Sequence, residues 1–489
     1  MILPLNTFSL SKYFFVALIV LMQLSCNLPV SKLTTDANMV HLITLDPGHF
    51  HAALVQKAMY PNVDSVVHVY APAGADLQYH LDRIKSYNTR TDNPTRWKEK
   101  VYSGNDFFEK MITEKKGNVV VLSGNNKRKA EYISKSLENG FNVLADKPMV
   151  IDSKDFSTLE QAFETAKKKN LLLYDIMTER YEITTILQKE LSMMPEVFGV
   201  LEKGTENNPA VVKESVHYFY KYVSGSVLTR PAWFMDVTQQ GEGLVDVATH
   251  LVDLVQWECF PEQSLDYKKD IQVLNAKRSA IDMSLADFKT ITKSDGFPAY
   301  LKKEIINDSI LRIYSNGEIN YKIKGVFAKV SVVWRYKAAE GAGDSHYSML
   351  RGTKANLIIR QEAEQQYKPT LYIEPVSNST TYESILFDKI KALQARYPGV
   401  ELKKIPQGWE VIIPEKYKEG HEAHFSRVTE KFLEYLKNKN MPPWEVPNMM
   451  AKYYTTTKAL EIARATPLLL MSVYSNDLLP EGELNQLNK

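Results

Sequence analysis

Between residues 39 and 180, short apolar runs alternate with stretches of helical length, and few architectures accept that pattern. The runs fall at 39–45, 65–70, 118–123, 141–145 and 171–174. Helical patterns follow at 52–59, 127–139 and 157–169, and the polar stretch 78–105 reads as a helix plus loop. Strands spaced by helices pair in parallel, because each connection must cross back over the sheet. Both sheet faces are then covered, which suits strands as continuously apolar as Val119-Val120-Val121-Leu122. A doubly wound α/β sheet is therefore expected, with ligands at the carboxyl ends of its strands.

After residue 180 the pattern changes. Strand-like runs at 197–203, 213–222, 271–278, 310–314, 328–336, 348–350 and 355–360 mostly alternate apolar and polar, as half-buried strands do. An α+β domain with a large mixed or antiparallel sheet is expected over 181–375, with helices at 183–193 and 243–258. Residues 376–418 read as an inserted αβ piece, and 419–489 as C-terminal helices. At the other end, Lys12 precedes an apolar stretch at 13–22 and then Leu24-Ser25-Cys26. That stretch is short for a membrane span and has the length of a signal core. Residues 1–26 are expected to be a lipoprotein signal, with Cys26 carrying the lipid anchor and 27–38 a tether. The protein would then be exported, to the periplasm or the outer membrane. The other cysteine, Cys259, lies in an apolar run and reads as core. With 60 basic and 58 acidic residues, net charge is +2, and no nucleic-acid partner is expected.

Two motifs carry chemistry. Lys147 ends the strand-like run before Pro148. Asp246, His250 and Asp253 fall at i, i+4 and i+7 of a helical pattern, on one face. A lysine and a histidine that meet in a cleft can transfer a proton while a cofactor takes a hydride. Together, Ala145-Asp146-Lys147-Pro148 and Asp246-Val-Ala-Thr-His250-Leu-Val-Asp253 resemble the Gfo/Idh/MocA oxidoreductases. Glu179-Arg180-Tyr181 and the glycine turn Met349-Leu-Arg-Gly-Thr-Lys354 are similar to that family as well. Aspartate stands at 146 where members carry glutamate.

The resemblance implies a Rossmann-like domain over 39–180 and NAD or NADP as cofactor. Lys147 and His250 would be catalytic, with Asp246 orienting the site. Gly48, His49, Ser123, Asn125, Asp146, Lys147 and Pro148 would touch cofactor. Arg180, Tyr220, Trp233 and Asp253 would meet a carbohydrate-like substrate: a sugar, cyclitol or glycoside. An NAD-using glycosidase and a non-catalytic carbohydrate-binding lipoprotein are the rival readings. A homo-oligomer through the C-terminal sheet would also fit.

The cofactor loop departs from the family's Gly-x-Gly-x-x-Gly. Asp46, Gly48 and His51 stand at the three positions, so only the glycine that lets backbone approach pyrophosphate remains. Residues 70–74 lack the acid that would hold a ribose; the next is Asp76, which leaves NAD and NADP undecided. His49-Phe50-His51 beside Asp46 reads only weakly as a metal motif, and no metal is expected. His421 and His424 read as helix surface. The aromatic run His217–Tyr222 reads equally as a sugar-stacking wall or as sheet core.

Overall fold

The computed structural model describes residues 39–466 except 224–225, 339–341 and 378. The expected signal, the tether and Cys26 lie outside the described residues. Among the described residues no helix is long and apolar enough to cross a membrane.

Six parallel strands form the first sheet: β1 Leu42–Leu45, β2 Val66–Ala71, β3 Lys98–Ser103, β4 Val119–Leu122, β5 Asn142–Asp146 and β6 Leu173–Ile176. Their order is β3-β2-β1-β4-β5-β6, which is the doubly wound arrangement expected. Every residue of β1, β4 and β6 is buried, because helices cover both faces. These helices are α1 His51–Leu54, α2 Ala75–Thr89, α3 Phe107–Glu114, α4 Lys129–Glu138 and α5 Phe156–Lys169.

Two expectations fail here for local reasons. β3 lies where a loop was expected. It is an edge strand of sequence Lys-Glu-Lys-Val-Tyr-Ser with alternate exposure, so it carries no apolar run. The helix expected over 52–59 stops after one turn at Leu54. The Gln56 carbonyl accepts from Trp97 Nε1 at 2.6 Å, and the Lys57 carbonyl accepts from Arg90 at 2.8 Å. Tertiary donors thus take the carbonyls of the turn beyond Leu54.

The second sheet is mixed and has ten strands. The main ones are β7 Val211–Tyr220, β8 Ile271–Ser284, β9 Ile310–Ile323, β10 Val326–Lys337, β11 Ser345–Arg351, β12 Ala355–Gln361, β13 Thr370–Pro375, β14 Glu401–Ile405 and β15 Gly408–Ile412. Their order is β8-β9-β10-β7-β11-β12-β13-β15-β14, and the two-residue strand Ile305–Ile306 pairs on β9. Only β7 and β10 pair in parallel. Along β10 Val326, Ala328, Val330, Val332 and Trp334 alternate inward, and their period of two puts one face on the core. The expected strand over 197–203 is reduced to a single bridge, Leu201 to Gly352. The hairpin β14–β15 inside 376–418 continues the same sheet through β13. The other helices are α6 Ile183–Ser192, α7 Ala248–Cys259, α8 Leu285–Thr292, α9 Thr380–Leu393, α10 His421–Asn438 and α11 Glu445–Ala465.

Buried charge ties α7 and α11 to the parallel sheet. Asp253 on α7 accepts from Arg180 at 2.7 Å through both carboxylate oxygens, and from Lys452 Nζ at 2.8 Å. Lys452 on α11 also meets Asp175 of β6 at 2.6 Å, and Tyr453 donates to the same carboxylate at 2.8 Å. Arg180 reaches Glu445 as well. One helix turn further on, Glu258 takes Lys213 Nζ at 2.9 Å on each oxygen. Removing one member of such a group strands an opposite charge in the interior, which costs about 3–5 kcal/mol.

Asp253→Ala is therefore expected to lower unfolding free energy by about that amount in urea titrations; a loss under about 1 kcal/mol would contradict the network's role. A pH effect follows from buried imidazoles. Burial first, and for His250 and His346 neighbouring positive charge, holds His80, His250 and His346 below the ordinary value of 6.5. The unfolded chain then binds protons that the fold does not. Their contribution is complete above pH 6.5 and is lost as pH falls below it, so the urea midpoint should drop with acidification through that range.

Candidate active site between the two sheets

Lys147 leaves the carboxyl end of β5, and its Nζ donates to Asp246 Oδ1 at 2.6 Å. Their side chains are 10% and 6% exposed, so the pair is shielded yet reaches the cleft. Asp246 sits in the turn just before α7, and His250 in the first turn of that helix. His250 Nδ1 has no hydrogen-bond partner. Burial, and then the Lys147 charge, push its pKa well below the ordinary value, so the ring is a neutral proton acceptor at neutral pH.

All three side chains line a cavity of about 1620 Å³. Its far wall comes from β7, β10 and the segment before β11. There His217 Nδ1 lies 3.2 Å from Asp344 Oδ2, and His217 Nε2 lies 3.1 Å from Ser215 Oγ. Lys221 donates to the same Asp344 oxygen at 2.6 Å. The aromatic run divides: Tyr218, Tyr220 and Tyr222 line the cavity with Phe234 and Trp334, while Phe219 is core. A wall of ring faces interleaved with donors and acceptors suits a polyhydroxylated ligand.

Other expected site residues fall elsewhere. Arg180 and Asp253, expected at substrate, bind each other in the interior and do not line the cavity. Asp253 stands three residues past His250 on α7, one turn further from the cleft, where Arg180 and Lys452 meet it. Trp233, also expected at substrate, is off the cavity wall and lies over the cofactor loop. A side chain built on Gly48 would place Cβ 3.0 Å from Trp233 Cζ2, and Trp233 Nε1 donates to Asp76 Oδ2 at 2.7 Å. Pro148 is buried and follows a cis peptide.

His421 had the pattern of helix surface. It begins α10, lines the cavity and stands 5.7 Å from His51, ring to ring. Ser215, Trp334 and Asp344 are further wall residues that sequence spacing did not single out. Cys259 is no nucleophile: burial pushes its thiol pKa up.

A nicotinamide dinucleotide can be tested against the two ends of this cleft. The reacting end fits: Lys147, Asp246, His250 and His49 all open on the cavity. The phosphate end is covered. The Gly48 and His49 amides both donate to the Ser123 carbonyl at 3.3 Å, and Trp233 occupies the space over Gly48. Asn125 is tied to Gln239 at 2.6 Å, and Ser123 Oγ to Asp146 at 2.9 Å. At this end a pyrophosphate would have to displace Trp233 from Gly48 and draw the two amides from Ser123.

Residues 187–464 match the family described as "Putative oxidoreductase C terminal domain". The crystal structure of a "putative oxidoreductase" from Parabacteroides merdae ATCC 43184 shares 57% identity and a TM-score of 0.86, covering 88% of this chain and 98% of that one. Levoglucosan dehydrogenase, solved with NADH and levoglucosan, shares the fold at 12% identity and TM-score 0.55, over 87% of this chain and 97% of that one. Biliverdin reductase from Synechocystis sp. PCC 6803, solved with biliverdin and NADP+, does so at 10% identity and TM-score 0.53, over 87% and 99%. Among curated protein sequences none matches significantly. The family match covers more than half of the chain and the Parabacteroides protein nearly all of its described part, so this chain belongs to that oxidoreductase family.

Proposed function

We propose that the chain is a nicotinamide-dependent oxidoreductase acting on a hydroxyl or ketone of a sugar, cyclitol or glycoside. The observation that carries this reading is the Lys147–Asp246 pair beside neutral His250, all opening on a large cavity walled by aromatic and polar side chains. Removing a hydride from a carbinol leaves a carbonyl only if the hydroxyl proton departs as well. His250 takes that proton at an imidazole nitrogen. Lys147, held by Asp246, sets an ammonium beside the developing alkoxide and stabilises it. Tyr218, Tyr220 and Trp334 pack on the C–H faces of the ring and exclude water. When bound, the nicotinamide supplies the hydride acceptor; His49 and Asp146 would lie along the dinucleotide at that end and Gly48 at its phosphate end. The relatives solved with NADH or NADP+ support this choice of cofactor. The Leu24-Ser25-Cys26 box supports export as a lipid-anchored protein.

Three measurements test the proposal. NAD(P)H formation over a panel of sugars, cyclitols and glycosides should identify a substrate whose kcat/KM falls roughly 10²–10⁴-fold in Lys147→Ala and His250→Ala; unchanged turnover would remove them from the chemistry. Because Trp233 covers the phosphate seat, Trp233→Ala should tighten NAD(H) binding by about tenfold, as a closed state taxes affinity. If neither the native protein nor that variant binds either dinucleotide by calorimetry, the oxidoreductase reading is wrong. Fatty-acid labelling in a bacterial host should mark the native chain and not Cys26→Ala.

A further inference from the structure

We infer that His49, His51 and Asp146 form a seat for one divalent first-row transition cation at the edge of the active-site cavity. His49 and His51 come from the loop after β1, and Asp146 ends β5, the second strand beyond it in the sheet. One ligand atom from each lies within 4.8 Å of the others. His51 Nδ1 is 2.9 Å and His49 Nδ1 3.9 Å from Asp146 Oδ2. A cation with bonds of about 2.1 Å spaces its ligands by roughly 3–3.4 Å, so His51 and Asp146 already stand in range and His49 closes in on both.

The third ligand is not the neighbouring Asp46, whose carboxylate accepts from Tyr132. Asp146 is 4% exposed, and its Oδ1 has no hydrogen-bond partner. A buried carboxylate oxygen left so is costly unless something charged answers it. Ser123 Oγ and the Lys129 ammonium, on Asp146 Oδ2 and its carbonyl, hold the residue in place. Two imidazoles and one carboxylate are a donor set that suits zinc, manganese or iron(II) and leaves positions open. Binding exchanges the His51–Asp146 hydrogen bond for bonds to the cation, with the His51 ring proton moving to Nε2. The open positions face the cavity that Lys147 and His250 share, where the cation can polarise a hydroxyl or a water.

This inference does not rest on the dinucleotide. The full chain, stripped with chelator and dialysed, is titrated with Zn²⁺, Mn²⁺ and Fe²⁺ by calorimetry, and bound metal is counted by elemental mass spectrometry. One cation per chain is expected for at least one of these metals. His49→Gln, His51→Gln and Asp146→Asn should each weaken it at least 100-fold, with melting curves confirming that the variants fold. Should Asp146→Asn unfold, the double variant His49→Gln/His51→Gln carries the same test. His41→Gln, whose imidazole meets Asp64 instead, should bind as the native chain does. No stoichiometric binding, or binding that the His49/His51 double variant retains, overturns the inference.

Discussion

The buried carboxylate of Asp253 is the interaction on which the rest depends. It sits on the helix that presents His250, and it is answered by Arg180, just past the parallel sheet, and by Lys452 on the last helix. Lys452 in turn binds Asp175 on β6. The sheet that delivers Lys147 and the helix that delivers His250 are thereby held by buried, charge-assisted bonds. A proton acceptor and an ammonium serve one substrate oxygen only if their separation is fixed, so the network acts on the chemistry without touching it.

The parallel sheet was legible because its central strands are continuously apolar, as covered strands must be. That Lys147 and His250 open on one cavity was legible because strand end and helix start leave spacing signatures. Arg180 and Asp253 were misassigned for an instructive reason. A charged residue on the expected face of a helix looks the same in sequence whether it meets a ligand or another buried charge. What decides between them is whether distant partners such as Arg180 and Lys452 pack against that turn of the helix, and no local pattern announces them. β3 was hidden by its charged edge, and the shortness of α1 by donors from Trp97 and Arg90, both distant in sequence. His421 and Asp344 reach the cavity through tertiary packing alone.

The cofactor loop illustrates how a fold can keep its outline while its contents change. In Asp46-Pro-Gly-His-Phe-His51 the two outer glycine positions carry an aspartate and a histidine, and the helix beyond is a single turn. A one-turn helix offers little dipole to a phosphate. The amides that would hold pyrophosphate are turned to Ser123, and an indole fills the space above. His51, at the third of the glycine positions, and its neighbour His49 both stand beside Asp146.

The central claim is that proton transfer and hydride acceptance meet at the Lys147 end of the cleft, with Trp233 guarding the phosphate end. A crystal structure of the protein grown with NADH tests it most directly. The account predicts the nicotinamide beside Lys147 and His250, with Trp233 swung off Gly48 and its bond to Asp76 broken. A dinucleotide bound elsewhere, or bound with Trp233 still packed on Gly48, would contradict it.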